Sequence, residues 1–239
     1  MTVGFDARHR VSIFVWLTAS LRAGGGVPSL NLQARQCSEY PITRIKFSPY
    51  EPDRLLSCGR ENVRFWRISK RRHLAGSAVE STNSNLHWYR GVEFTDLAFE
   101  ATGGNISGSF GSGNNHGSNG GGSDGVGRVS IASKAAIDEA FNEANPRLVF
   151  VASALGTLVQ IAYETRQVLG VLRLHDAPIK CIAAATGYVA TGAADGCLRL
   201  WPLDFSDVLM QAKHDAAVTG AVITNDGMQI YTMTAGGEG

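Results

Sequence analysis

One segment of the chain contains residue types that could form a hydrolytic triad. It holds His175, Thr191, Asp195 and Trp201 within a single stretch. In a hydrolase the hydroxyl would be the nucleophile, the imidazole the general base and the carboxylate its orienting partner. Thr191, however, lies in a run of apolar and small residues that predicts a β-strand, whereas such a nucleophile sits on an exposed turn. The pattern therefore favours a structural role over a catalytic one.

A second motif of hydrolases occurs in a glycine-rich segment. Residues 121–125 match Gly-x-Ser-x-Gly around Ser123, and residues 120–125 match the Gly-x-Gly-x-x-Gly fingerprint of phosphate-binding loops. Both motifs need a preceding strand and a following helix, and neither is predicted here. Composition this biased produces such matches by chance. A serine hydrolase using Ser123 is therefore the least favoured alternative, and we expect no enzyme activity.

The composition excludes several other classes of function. The chain has 239 residues, 44% of them hydrophobic, and a formal net charge of +1, so we expect neither nucleic acid nor a small-molecule substrate as partner. No apolar run is long enough for a membrane helix, so we expect no membrane association. The four cysteines lack a zinc-ligand spacing, which predicts no metal, no cofactor and a reducing cytoplasmic location. A loose likeness of residues 8–26 to a secretory signal is the alternative.

Short apolar runs separated by glycine-rich turns predict an all-β fold built from repeats. Each repeat has a hydroxyl residue, then an acid and then an aromatic residue at similar offsets, and His175 and His214 precede two of the upstream strands. The matching sets are Thr191, Asp195 and Trp201; Ser57, Glu61 and Trp66; Thr2, Asp6 and Trp16; Thr234 and Glu238; and a degenerate copy with Ser153 and Ile161. The repeating unit is four strands.

This pattern resembles the WD40 repeat, whose units are four-stranded blades of a β-propeller. In that family a histidine, a hydroxyl, an aspartate and a tryptophan form a hydrogen-bonded chain. The resemblance implies such a tetrad for His175, Thr191, Asp195 and Trp201. It implies equivalent structural roles in the other repeats for Ser57, Glu61, Trp66, Thr2, Asp6, Trp16, His214 and Thr234.

A finer resemblance covers residues 45–68 and 93–100, which are similar to segments of the large ciliary and centriolar WD-repeat proteins of microtubule walls. It implies a non-enzymatic scaffold of the cytoskeleton, at a cilium or centriole, that binds other proteins such as tubulin or further scaffold proteins. A substrate-recognition or signalling adaptor is the alternative, since no sequence feature separates the two.

The repeats divide the chain into blades and one insertion. We expect WD40 blades over residues 1–100 and 147–239, a disordered Gly/Ser/Asn-rich insertion over 101–132, and a short surface helix over 133–146. The chain then holds about four blades and starts and stops inside a repeat. An incomplete propeller is favoured over a four-bladed ring, because about seven blades are usual in this family.

A basic cluster is the one candidate for partner binding. It consists of Arg60, Arg64, Arg67, Lys70, Arg71 and Arg72. Gathered at one rim, these charges would attract an acidic partner. The alternative is an edge strand that its charges protect from aggregation.

Overall fold

A computed structural model describes residues 1–5, 10–17, 31–69, 73–79, 90–101, 128–129 and 146–236. Within these ranges the chain forms eighteen β-strands and no helix. Consecutive strands of each sheet pair in antiparallel fashion. The described part also contains no helix with the length and hydropathy needed to cross a bilayer.

The strands form five sheets that follow one another along the chain. The first contains β1 (Thr2–Phe5), β2 (Val11–Leu17) and β3 (Asn31–Ser38). The second contains β4 (Arg44–Phe47), β5 (Arg54–Gly59), β6 (Asn62–Ile68) and β7 (Leu74–Ala78). The third contains β8 (Phe94–Phe99), β9 (Arg128–Val129), β10 (Leu148–Ser153), β11 (Thr157–Ala162) and β12 (Val168–Arg173), in the spatial order β8-β10-β11-β12-β9. The fourth contains β13 (Ile179–Ala185), β14 (Tyr188–Ala193), β15 (Cys197–Pro202) and β16 (Met210–Lys213), and the last contains β17 (Val218–Ile223) and β18 (Ile230–Thr234).

This arrangement confirms the all-β propeller segment, with the central sheets as blades. The third blade is interrupted after its first strand, since β8 pairs with β10 across the insertion. Within that insertion Arg128 and Val129 pair with Leu172 and Val171 of β12, so this pair of residues forms a fifth strand where we expected disorder. Residues 102–127 and 130–145 lie outside the described residues. They include the rest of the predicted insertion and all of the predicted helix except residue 146.

Blades pack face to face, which explains why their middle strands are apolar on both sides. Successive side chains of a strand point to opposite faces. In β10, Phe150 therefore packs against the fourth blade, in a cluster with Trp201. Val149 and Val151 point the other way and pack against the second blade, in a cluster with Phe65. All six residues of β10 are buried, so the hydrophobic effect holds this strand between the second and fourth blades.

Candidate functional site

Three repeats contain the same hydrogen bond between the indole of a tryptophan and a hydroxyl. Trp201 Nε1 donates to Thr191 Oγ1 at 2.9 Å, and Trp66 Nε1 donates to Ser57 Oγ at 2.8 Å. Both pairs are buried. At the edge of the molecule, Trp16 Nε1 donates to Thr2 Oγ1 at 3.0 Å. In the second and fourth sheets the hydroxyl comes from the second strand and the indole from the third, and in the first sheet they come from β1 and β2. Each bond therefore ties two neighbouring strands of one sheet together.

In the fourth blade a histidine extends this bond. His175 Nε2 lies 2.8 Å from Thr191 Oγ1, and only 2% of the residue is exposed. Burial, and then the positive charge of Arg199, lowers the pKa of His175 from 6.5 to about 4. The imidazole is therefore neutral at physiological pH and serves as a fixed hydrogen-bonding group.

Asp195 does not complete the predicted four-residue chain. Its Oδ1 accepts from the backbone N–H of Cys197 at 3.0 Å, while the side-chain Nδ1 of His175 has no hydrogen-bond partner in the described part of the molecule. Burial alone would raise the pKa of Asp195, but the hydrogen bonds from Cys197 and the charge of Lys213 hold it below its usual range. The aspartate thus stabilises its own turn.

In two repeats the strand register corrects the predicted equivalences. Ile182 of β13 pairs with Thr191, and the corresponding Ala221 of β17 pairs with Thr232. Thr232, rather than Thr234, therefore takes the position of Thr191. His214 Nε2 lies 3.4 Å from Thr232 Oγ1, as His175 lies beside Thr191. By the same count Gly236, rather than Glu238, stands where Asp195 stands; Glu238 lies outside the described residues.

The third blade loses both the hydroxyl and the indole. Val151 pairs with Val159 as Thr191 pairs with Arg199, so Val151 occupies the hydroxyl position, and Ile161 the position of Trp201. Ser153, the predicted equivalent, instead bonds Thr157 Oγ1 at 2.6 Å within its turn. Replacing both partners by apolar side chains leaves no buried donor unpaired.

Glu61 occupies a different turn position from the one predicted. Its φ of +58° matches Gly196 at +83° and Gly156 at +76°, so it takes the glycine position of the turn. Its carboxylate accepts from the backbone N–H of Gly91 at 2.7 Å, just before the third blade begins. Asp6 lies outside the described residues.

The geometry does not assemble a catalytic triad at His175. Thr191 has no exposed surface, and its hydroxyl is already engaged by Trp201 and His175. A nucleophile must reach its substrate, which this hydroxyl cannot do. Ser123 lies outside the described residues. Among those described, no group of three or more His, Cys, Asp or Glu side chains is placed to hold a metal ion.

A buried carboxylate that the sequence reasoning missed joins three blades. Asp96 of β8 is 6% exposed, and its Oδ2 accepts from the backbone N–H of Ile182 in the fourth blade at 3.1 Å. Its Oδ1 lies 3.3 Å from Lys46 Nζ and 3.6 Å from Arg44 Nε of the second blade. The Asp96 carboxylate on β8 therefore contacts both β4 of the second blade and β13 of the fourth blade.

The charge of Asp96 also acts on two buried thiols. Burial, and then Asp96, raises the pKa of Cys58 to about 12 and that of Cys181 to about 11. Both side chains remain protonated thiols at physiological pH and pack as small apolar groups.

The described members of the predicted basic cluster do not gather at one rim. Arg60 lies in the turn after β5, whereas Arg67 pairs with Arg54 at the opposite end of β6. Arg64 stacks on the ring of Tyr40 at 4.5 Å, and its Nε is buried without a hydrogen-bond partner. Arg67 is 64% exposed and forms an ion pair with Asp53 at 3.1 Å. Lys70, Arg71 and Arg72 lie outside the described residues.

Antiparallel sheets that pack face to face, with a recurring indole–hydroxyl bond, define a β-propeller segment. The chain is correspondingly similar to proteins of the WD-repeat class. It is 35% identical over 245 residues to "Centriole proteome protein 16" of Chlamydomonas reinhardtii, which covers 98% of this chain and 10% of that protein. It is 27% identical to "WD repeat-containing protein 90" of Xenopus tropicalis, covering 99% and 11%, and 26% identical to the human protein of that name, covering 98% and 12%.

The chain thus spans about a tenth of the length of the curated relatives it matches. No model of a known family matches the sequence. The resemblance to large centriolar WD-repeat proteins that the sequence indicated is confirmed by these relatives.

Proposed function

We propose that the chain is part of a non-enzymatic scaffold that binds other proteins in a centriolar or ciliary assembly. The observation that carries this proposal is that the side chains that could form a catalytic triad make structural contacts instead. His175, Thr191 and Asp195 form hydrogen bonds within the fourth blade. These repeats therefore serve to present a protein-binding surface rather than an active site. The name of the algal relative, a centriole proteome protein, supports the location.

The finer proposal is that an acidic protein surface, such as that of tubulin, binds at the end of the second blade that carries Arg67. This guanidinium is largely exposed, and its ion pair with Asp53 is solvated, so an acidic partner could compete for it at little cost. Arg64 is not part of this proposed binding surface, because its guanidinium is stacked on the ring of Tyr40. Arg60, at the opposite end of the blade, faces a different rim.

Co-sedimentation of the full chain with microtubules tests the partner. We expect salt-sensitive binding that Arg67→Gln weakens several-fold. Arg60→Gln is the matched control and should leave binding unchanged. Equal loss in both variants would contradict the proposed rim, and no binding at all would contradict tubulin as partner. Capture of a ubiquitin-ligase or signalling complex from the native cells would then favour the adaptor alternative.

A further inference from the structure

A partly exposed serine lies beside the arginine of the proposed binding surface. Ser69 follows β6, in the turn that leads to β7. Its backbone N–H donates to the carbonyl of His73 at 2.8 Å, and its Oγ accepts from the backbone N–H of His73 at 3.3 Å. Ser69, Arg67 and Asp53 line the same groove, whose volume is about 670 Å³. Ser69 therefore meets solvent in the groove that also holds the Arg67–Asp53 ion pair.

Burial separates this serine from most others that the structure describes. Five of the eight described serines are no more than 7% exposed, namely Ser12, Ser38, Ser48, Ser57 and Ser153. The hydroxyl of Ser77 accepts a hydrogen bond from Arg166 at 2.5 Å. Among the described serines, this leaves Ser69 and Ser206 as the two that an enzyme acting on the hydroxyl could reach most readily.

Ser69 and Ser206 occupy corresponding turns in surroundings of opposite charge. Ser206 follows β15, the third strand of the fourth blade, as Ser69 follows β6, the third strand of the second. Acidic residues flank Ser206, and its hydroxyl donates to Asp204 Oδ1 at 2.9 Å. In the sequence Ser69 has Arg67 two positions before it and Arg71 two positions after it. No other serine or threonine of the chain has a basic residue at both positions. Because kinases select substrates by such charge patterns, a kinase with an acidic substrate groove would prefer Ser69.

We propose that Ser69 is a phosphorylation site for a kinase of this class, and that its phosphate closes the Arg67 surface to an acidic partner. The effect on a partner rests on the proposed function, whereas the modification itself does not. The γ-phosphoryl group of ATP passes to Ser69 Oγ, so that a new O–P bond forms and the bond to the leaving ADP breaks. The hydroxyl proton passes to the catalytic base of the kinase. The modified group can still accept from the N–H of His73, so the turn keeps its hydrogen bonds.

The added charge changes what Arg67 binds. A phosphoserine carries about two negative charges at pH 7 and three acceptor oxygens, whereas the carboxylate of Asp53 carries one charge. Both groups belong to the same groove, and the phosphate forms the stronger charge-assisted bonds with a guanidinium. Arg67 is then paired with a group of its own chain, and the groove repels acidic surfaces.

Phosphorylation of the full chain by protein kinase C, with ATP and Mg²⁺, tests the site. We expect phosphate that mass spectrometry maps to Ser69, that is lost in Ser69→Ala and that is absent from Ser206. The Nε–H signal of Arg67 in 15N-labelled chain, assigned through Arg67→Gln, should shift on phosphorylation. No phosphate at Ser69, equal phosphate at Ser206, or an unmoved Arg67 signal would overturn the proposal. These readouts need no partner, so they hold whether or not microtubules are bound.

Co-sedimentation with microtubules tests the effect on the partner. Phosphorylated chain should bind several-fold more weakly than unmodified chain, because the groove has gained negative charge. Ser69→Ala treated with kinase and ATP should bind as the unmodified chain does. Binding that phosphorylation at Ser69 leaves unchanged would overturn the regulation. Absence of binding by the unmodified chain would instead contradict tubulin as partner, and the Arg67 signal then decides the inference.

Discussion

Trp201 Nε1 donates to Thr191 Oγ1 at 2.9 Å, and neither residue has any surface exposed to solvent. A buried N–H that loses its acceptor keeps the full cost of desolvation, which exceeds the net gain from making the bond. A tryptophan buried at this position therefore needs an acceptor for its N–H, and the bond mainly avoids the cost of leaving that N–H unpaired. The third blade has no indole and therefore needs no acceptor, because Val151 and Ile161 stand at the hydroxyl and indole positions.

This reasoning predicts strong coupling between the two residues. Thr191→Val should lower the free energy of unfolding by about 2 kcal/mol, because it strands the indole N–H and removes a partner of His175. Trp201→Phe should also destabilise, but the double variant should cost less than the sum of the two. A double-mutant cycle from urea unfolding followed by circular dichroism measures the difference, and strict additivity would contradict the coupling.

The pH dependence of stability should reveal the buried histidine. Because the folded pKa of His175 is lowered to about 4 from 6.5, the unfolded state binds more protons between these values. Stability is therefore full above about pH 6.5 and falls as the pH drops toward 4, by on the order of 3 kcal/mol in all. His175→Phe should flatten the profile over this window. His73, which is exposed, is the control position, and an equal flattening there would contradict the assignment.

The carboxylate that joins three blades should matter far more than an exposed one. Asp96→Ala leaves the buried backbone N–H of Ile182 without its acceptor and removes the ion pairs of two half-exposed cations, and should cost about 2 kcal/mol. Asp53→Ala removes only a solvated pair with Arg67 and should cost less than about 1 kcal/mol. Thermal unfolding of the two variants makes the comparison. Similar melting temperatures would show that Asp96 does not hold the blades together.

Two turn glycines, Gly91 and Gly196, allow backbone strain to be distinguished from steric contact. Gly91 and Gly196 both have positive φ, but a Cβ at Gly91 would meet nothing within 4 Å, whereas one at Gly196 would lie 2.3 Å from the carbonyl oxygen of His214. Gly91→Ala should cost about 1–2 kcal/mol from its backbone conformation alone. Gly196→Ala should cost clearly more, since backbone must move. Equal losses in chemical denaturation would show that the contact relaxes without cost.

Local patterns in the sequence were sufficient to predict the strands and much of the repeat. The Trp201–Thr191 and Trp66–Ser57 pairs each lie within one hairpin, so regular spacing reveals them. The position of Thr234 was wrong because β18 carries two threonines two residues apart, and spacing to the next acid selects Thr234. The pairing with β17 instead places Thr232 opposite Ala221, as Thr191 lies opposite Ile182. Glu61 was misassigned because its turn is one residue shorter and needs a positive φ at that position.

Long-range contacts lay beyond such patterns. Asp96 interacts with residues about 50 positions earlier and 86 later in the chain, and no local period connects them. The available signal was an acid inside an otherwise apolar strand, which indicates a buried charge with partners elsewhere. Arg60 and Arg67 of the basic cluster are separated for the opposite reason, because residues near in sequence lie at opposite ends of one strand.

The most direct test of the proposed scaffold is the location of the native protein, tagged at its own locus, in the cells that produce it. Imaging by expansion microscopy beside a tubulin marker would give its position relative to the microtubule walls. We predict enrichment along the centriole or the base of the cilium. A uniform distribution through the cell, with no enrichment at either structure, would contradict the account.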